Sequence, residues 1–342
     1  MRRSTIRRPV TTIRRSATTL AAVTALVLAV AGCGGKQDRT GADAGGDTSS
    51  CEASPAQMTI ATGNSTGVYY ALGGGLASVI SANTKIKATA AETGASVQNI
   101  QQLVDKKYDI AFSLADTAAD AVQGKGAFEG KQADVKALAR IYSNYTQVVV
   151  STKSGINSVE DFKGKRISTG SPKSGTEVIA NRLIESAGLK PGDVKAQRLD
   201  LAKTVDGMKD GSIDGLVWSG GLPTGGITDL VSSMKGQVKF VDITPLLPKM
   251  QAVNSVYAEG TIPAATYGTE ADAKTIVVPN DLLVRSDFAD NNACALTKLL
   301  FDKKDDLVKV HVAAKELDPK TAAETAPVEL HPGSKRALDE LG

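Results

Sequence analysis

The stretch TIATGNSTGVYYALGGGLASVISANTK, Thr59 to Lys85, passes from a strand to a helix through a turn of Gly, Asn, Ser and Thr. Met58 to Ala61 is a short apolar run, and Leu72, Leu76, Val79 and Ile80 then recur at i, i+4, i+7 and i+8, one helical face. Gly73, Gly74 and Gly75 interrupt that helix, each at a cost of about 1 kcal/mol relative to alanine, so a close approach of the backbone to another element or a ligand is expected. Tyr69 and Tyr70 open the helix and point about 100° apart, so one is expected to reach a ligand and the other to pack. A polar turn feeding a helix start gathers unpaired N–H groups and partial positive charge, which suits a carboxylate or a phosphate.

The same unit recurs along the chain. Strand Ile86 to Ala91 leads through Glu92-Thr93-Gly94-Ala95 into a helix that Ser96 is expected to cap, with Val97, Ile100, Leu103 and Val104 inward. Strand Tyr108 to Leu114 follows, with Asp116 placed to cap the next helix. Ala137 to Val150 contains a strand read as the crossing into a second lobe. There, strand Arg166 to Thr169 runs into Gly170-Ser-Pro-Lys-Ser-Gly-Thr-Glu and a helix stopped by Gly188. A helix over Asp200 to Lys209, a strand over Ile213 to Ser219, a helix over Pro223 to Met234 and a strand over Val238 to Ile243 complete that lobe. Thr275 to Val284 reads as a strand returning to the first lobe, and Asn292 to Leu317 as helices. Alternating strands and helices mark an α/β fold with mainly parallel sheets, and 342 residues at 42% hydrophobic suffice for two lobes.

The front end has the grammar of an export signal. Six arginines precede the short apolar run Leu20 to Ala31, and Val30-Ala31-Gly32-Cys33 is similar to a bacterial lipobox, which makes Cys33 the lipid-carrying first residue of the mature chain. Arg14-Arg15 leaves twin-arginine export open beside the general route. Removing those six arginines takes the basic count from 40 to 34 against 37 acidic residues, so the net charge of +3 becomes −3. The basicity belongs to the leader, and no basic stripe interleaved with aromatics points to nucleic acid. Gly41 to Ser54 has the composition of a flexible tether. With Cys33 lipidated, Cys51 and Cys294 remain, an even pair in an oxidising compartment, and a disulfide between them is expected.

No nucleotide signature is complete. Gly170-x4-Gly175 has phosphate-loop spacing, but Thr176 stands where the lysine belongs, and Gly63 to Gly67 lacks the full dinucleotide fingerprint. His311 and His331 lack metal-ligand spacing, so packing or surface roles are expected of them. Asp302-Lys-Lys-Asp-Asp306 reads as a solvated helix face. Ser174-Gly-Thr-Glu177 matches a capping box, which is compatible with anion binding at the same helix start. Trp218, the lone tryptophan, ends a strand where the wall of a ligand cleft would stand, or else fills core. Two opposed strand, turn and helix starts, one per lobe, would hold a small anion between them.

In order along the chain, TGNSTGVYYALGG, ETGASVQNIQQL, DFKGKRIS, GSPKSGTE, MKDGSIDGLVWSGG, LPTGGI and the ending VELHPGSKRALDELG resemble the solute receptors of TRAP transporters of the TAXI class. The resemblance implies a two-lobed periplasmic-binding-protein fold, type II-like, with no enzymatic activity and no cofactor. It also implies delivery of a small organic anion (glutamate- or glutamine-like, or a 2-oxo or dicarboxylic acid) to a TRAP membrane subunit. Carried over motif by motif, the ligand residues are Ser65, Gly67 and Tyr69; Ser96 and Asn99; Ser171, Ser174, Gly175 and Thr176; and Trp218 with Gly220 and Gly221 as the far wall. The family's aromatic-Pro-Glu segment near the lobe crossing reads Tyr142-Ser-Asn-Tyr-Thr here. No arginine lies in either cradle, and Arg140 is the nearest candidate for one. The expected organisation is a lipoprotein signal peptide over 1–32, a tether over 33–54, lobe I over 55–146 and 285–342, and lobe II over 147–284. The protein is expected to be a monomer anchored by lipid to the outer face of the bacterial cytoplasmic membrane. An ABC-type solute receptor and a membrane-tethered sensor or enzyme on the same fold remain the alternatives.

Overall fold

Each apolar run between glycine turns builds a strand in the computed structural model, which describes residues 51–342. The signal peptide, Cys33 and all of the tether before Cys51 lie outside the described residues. The strands are β1 (Ala56–Ala61), β2 (Ile86–Ala91), β3 (Ile110–Leu114), β4 (Val135–Ser151), β5 (Arg166–Ser168), β6 (Lys195–Gln197), β7 (Gly215–Gly220), β8 (Val238–Phe240), β9 (Ala258–Ile262) and β10 (Ala273–Arg285). They follow one path, β2-β1-β3-β10-β4-β7-β5-β6, with β8 on β4 and β9 on β10. β1 pairs in parallel with β2 and β3, as β5 does with β6 and β7. β4 and β10 run antiparallel to each other and to their outer neighbours.

Helices α1 (Val68–Asn83), α2 (Ser96–Val104) and α3 (Ala115–Gln123) flank the first lobe. The second lobe carries α4 (Gly175–Ser186), α5 (Leu201–Asp210), α6 (Gly225–Ser233), α7 (Leu247–Val253) and α8 (Ala264–Tyr267). After β10 the chain returns to the first lobe as α9 (Asp290–Asp302), α10 (Lys304–Val310), α11 (Pro319–Ala322) and α12 (Pro332–Leu341). Successive strand residues face opposite sides. Thus Ile60 and Leu282 join the core under α1 and α9, while Ala61 and Leu283 join the one with Val97 and Ile100 of α2. In the second lobe Val148 and Val150 pack with Ile179 and Leu183 of α4, and Val149 packs with Leu201, Ile227 and Leu230 of α5 and α6.

β4 and β10 pass through both lobes. β4 pairs with β10 from Val135 to Tyr145 and with β7 from Tyr145 to Val150, and β10 pairs with β3 over Asn280–Leu283. The β4–β10 register breaks between Pro279 and Asp281, and Pro279, which has no N–H to give the ladder, sits at that break. Asn280 bridges it from the side: its Nδ2 donates to Tyr142 O (2.8 Å) and Asn144 Oδ1 (2.9 Å), and its Oδ1 accepts from Tyr69 Oη. The next residue, Asp281, is fully buried with neither carboxyl oxygen partnered among the described residues. Burial pushes that carboxyl up to about 7, against the pull of Arg140.

Several local expectations need correction. Ser96 does not cap α2; Ala95 is the N-cap, and Ser96 Oγ instead accepts from Leu114 N (3.1 Å). Nor does Asp116 cap α3: it lies in the first turn, buried, where Arg182 of α4 donates to it (2.9 Å) and to Asp120 (2.5 Å). Tyr257 donates to the same Asp116 carboxylate, so two acids of α3 and a cation of α4 form one buried cluster between the lobes. Glu177 does not close the capping box on Ser174; it accepts from Lys173 N (2.8 Å) and pairs with Arg198. The glycine run of α1 divides: a Cβ on Gly73 would overlap Thr62, one on Gly75 would lie 2.7 Å from Val310, and one on Gly74 would meet nothing. Cys51 and Cys294 are joined as a disulfide, Cα to Cα 5.0 Å. Among the described residues no helix is long and apolar enough to cross a membrane.

Two predictions follow from the buried charges. Arg182→Met leaves Asp116 and Asp120 buried without their cation, and unfolding in urea should show a loss of roughly 3–5 kcal/mol at pH 7. Burial already raises the Asp120 carboxyl against the pull of Arg182, so without the arginine the deficit should shrink as pH falls. A loss under about 1 kcal/mol would refute the cluster's role. Asp281 binds its proton more tightly folded than unfolded, so its stabilisation is fully present below the ordinary carboxylate range and is lost as pH rises to about 7. Asp281→Asn should therefore gain on the wild type across that window, by at most roughly 4 kcal/mol; a stability difference that does not change with pH would contradict it.

Candidate functional site

Three helix starts converge where the lobes meet. β1 ends at Ala61, and the turn Gly63 to Gly67 delivers the chain to α1, whose N-cap Gly67 has no side chain to occupy the first-turn N–H groups. At α2 the N-cap Ala95 likewise offers no capping bond and is held at φ 80°, a left-handed backbone that costs a non-glycine residue strain. From the second lobe, α4 begins at Gly175 behind Ser174, whose Oγ accepts from Glu177 N (3.0 Å), while the N–H groups of Gly175 and Thr176 stay unclaimed by that cap. First-turn amides have no partner within their own helix, so each start presents donors and the positive end of a dipole.

Between these starts lies a cavity open to the centre of a water-sized sphere over about 30 Å³. Gly67, Tyr69 and Ser96 line it from the first lobe; Ser174, Gly175, Thr176, Trp218, Gly220 and Gly221 line it from the second. The remaining site residues named from the sequence lie elsewhere. Ser65 is exposed, with its backbone N–H on Glu92. Asn99 is fully buried beneath the turns, donating to Thr62 O (2.6 Å) and Phe112 O (2.9 Å) and accepting from Thr93 Oγ1 (2.6 Å), which commits both its amide protons. Ser171 donates to Asn64 Oδ1 (3.1 Å) across the seam. Tyr70 faces solvent, 39% exposed, instead of packing.

Four polar lining residues were not anticipated: Asn64, Tyr142, Asn144 and Ser219. Tyr142 and Asn144 come from the part of β4 that crosses between lobes, and Ser219 follows Trp218 on β7. A polar residue at the crossing of an otherwise apolar strand was the available signal. The hydroxyls of Tyr142 and Ser219 are buried and have no partner among the described residues. Thr176 Oγ1 accepts from Ser219 N (3.2 Å), which leaves its own proton to be donated, while Ser96 Oγ accepts from Leu114 N and also bonds to the Tyr69 phenol. Burial lifts the phenols of Tyr69 and Tyr142 well above their usual range, so both stay neutral.

No Asp, Glu, Lys, Arg or His lines the cavity. Arg140 pairs with Glu324 (2.7 Å) and is not a lining residue. Trp218 is 9% exposed, its indole donates to Thr224 Oγ1 (3.3 Å), and a side chain at Gly220 would overlap that ring. Apart from Lys173 Nζ on Gln101 Oε1 (3.1 Å) and the Arg182 cluster, neutral bonds join the seam. Gln98 N donates to Lys173 O (3.0 Å) and Leu201 N to Asn64 Oδ1 (3.3 Å). His311 Nδ1 accepts from Ala313 N, so its Nε2 carries the proton and donates to Pro223 O (3.0 Å). His331 is buried and caps α12 through Gly333 N. Among the described residues no group of His, Cys, Asp and Glu is arranged to hold a metal ion. The arrangement offers a donor-rich, uncharged enclosure for a group rich in acceptors.

Solved structures share this architecture. A protein of Bordetella bronchiseptica RB50 superposes with a TM-score of 0.53 at 17% identity, over 83% of this chain and 98% of that one. A binding protein component of an ABC phosphonate transporter from Pseudomonas aeruginosa gives 0.52 at 14% identity, over 77% and 80%. The periplasmic aliphatic sulphonate binding protein SsuA of Escherichia coli gives 0.45 at 15% identity, over 84% of each. The fold is the α/β periplasmic-binding-protein fold, a curled mixed sheet flanked by helices. The model of the NMT1-like family matches residues 60–342, most of the sequence, and the chain belongs to that family.

Proposed function

We propose that this protein is a lipid-anchored receptor on the outer face of the cytoplasmic membrane. It captures a small organic anion, glutamate- or glutamine-like or a 2-oxo or dicarboxylic acid, and hands it unchanged to the membrane subunit of a TRAP transporter. In this reading Cys33 carries the lipid and the protein acts as a monomer; the tether, expected to reach residue 54, ends before Cys51, because Cys51 is bonded to Cys294 and Ser54 to Asn291 and Asn292 of α9. Lobe I over 55–146 and 285–342 and lobe II over 147–284 close on the solute, with β4 and β10 as the shared hinge. One observation carries the reading: three helix starts and the unpartnered hydroxyls of Tyr142 and Ser219 meet in one cavity whose lining holds no charged side chain.

A hydrogen bond to a charged group contributes roughly 1.5–3 kcal/mol. Three or four such bonds reach the roughly 8 kcal/mol of a micromolar complex without any guanidinium. The phosphonate transporter component from Pseudomonas aeruginosa favours a second reading, delivery to an ABC transporter, in which the captured anion is a phosphonate.

A thermal-shift panel of glutamate, glutamine, 2-oxoglutarate, succinate and methylphosphonate tests both. A compound at a hundred times its dissociation constant should stabilise by about 2.7 kcal/mol. The carboxylates responding favours the first reading, methylphosphonate alone the second, and no response from any compound removes both. Against the responding compound, Ser219→Ala should weaken binding about tenfold by calorimetry, the value of one hydrogen bond to an anion. An unchanged affinity would take Ser219 out of the site.

A further inference from the structure

Gly175 and Gly221 stand in the cavity lining, where a glycine is ordinarily explained by a ligand that needs the backbone close. Their surroundings say otherwise. A Cβ on Gly175, which belongs to α4 of the second lobe, would overlap Leu114 and lie 2.8 Å from Ser96 Oγ, both of the first lobe. A Cβ on Gly221, in the loop after β7, would lie 2.9 Å from Tyr142 and 3.3 Å from Val68. In both cases the nearest atoms belong to β3, β4, α1 or α2 across the seam, not to the glycine's own lobe. Neither residue has a positive φ, so the backbone does not ask for glycine. Gly175 even occupies the first turn of a helix, where alanine is the better helix former.

We propose that Gly175 and Gly221 are the residues that permit closure: each is kept bare so that the opposite lobe can seat against it, and a single added methyl group holds the cleft ajar while leaving each lobe's own packing intact. The proposal rests on the capture reading above and extends it from what the cavity touches to what lets it shut. Ser96, whose hydroxyl accepts from Leu114 N and from no N–H of its own helix start, then marks the place where α4 arrives. Specificity of the closed state thus depends on two positions that need make no bond to the solute.

Trp218, the only tryptophan in the sequence, supplies a readout that needs no ligand. In the closed arrangement its ring lies under Gly67 of the other lobe and is 9% exposed. Collisional quenching of its fluorescence by acrylamide, in the mature chain without added solute, reports how open the seam is. Overpacking by one methyl group should move the closed-to-open ratio by roughly tenfold or more. Gly175→Ala and Gly221→Ala should therefore each raise quenching well above the wild type while keeping the far-ultraviolet dichroism of the fold. Gly74→Ala, whose Cβ would meet nothing within 4 Å, should quench as the wild type does. If Gly175→Ala fails to fold, Gly221→Ala, which lies in a loop, decides alone. Variants that fold and quench like the wild type overturn the proposal. Because no solute enters the measurement, that result is distinguishable from silence in the panel, which would remove the capture reading on which this proposal rests.

Discussion

Two strands hold the molecule together as one body. β4 and β10 carry a ladder of backbone hydrogen bonds from the first lobe into the second, and every other strand attaches to one side or the other of that pair. The ladder shifts register twice, between Leu282 and Leu283 and at Pro279, which has no proton to give. Asn280 spans the break at Pro279 with both amide protons and its carbonyl. The carbonyl oxygen of Tyr142 can only accept, so the amide of Asn280 has one workable orientation, and Tyr69 must then be its donor. The hinge and the cavity wall are therefore set by the same side chain.

Under the proposed reading, the cleft attracts its anion without a cation. Partial charges at three helix ends are fixed in direction by the backbone and require no counter-ion of their own, whereas a buried arginine would have to be desolvated and paired. The molecule does have such a paired arginine, Arg182, but uses it outside the lining, between α3 and α4. Near the cavity the seam is closed by amides, hydroxyls and one neutral histidine. Beside the cavity no ion pair has to be separated; the charged tie between the lobes is the buried cluster of Arg182 with Asp116 and Asp120.

The alternation of apolar runs with glycine turns was enough to place most strands and helices, because it is local information. So were Gly67, Tyr69, Ser174 to Thr176 and Trp218, each standing one step beyond a strand or at a helix start. What escaped depended on pairings distant in sequence. Tyr142 and Asn144 become lining residues only because β4 crosses the gap beside β10, and Ser96 and Asp116 abandon their capping roles for Leu114 and Arg182. β6 and β9 are short, and their partners, β5 and β10, are what make them strands. Asn99 is named through the resemblance of the motif ETGASVQNIQQL. Only the approach of Thr62 and Phe112 shows that both its amide protons are already taken.

The sulfur link between Cys51 and Cys294 lies just before β1, a strand flanked on both sides by parallel neighbours. Tension applied to the chain ahead of Cys51 therefore does not peel β1 out of its sheet. It passes through the covalent link to α9, which is buried along one side against the first core, so a load that would unzip a strand is spread over a helix face.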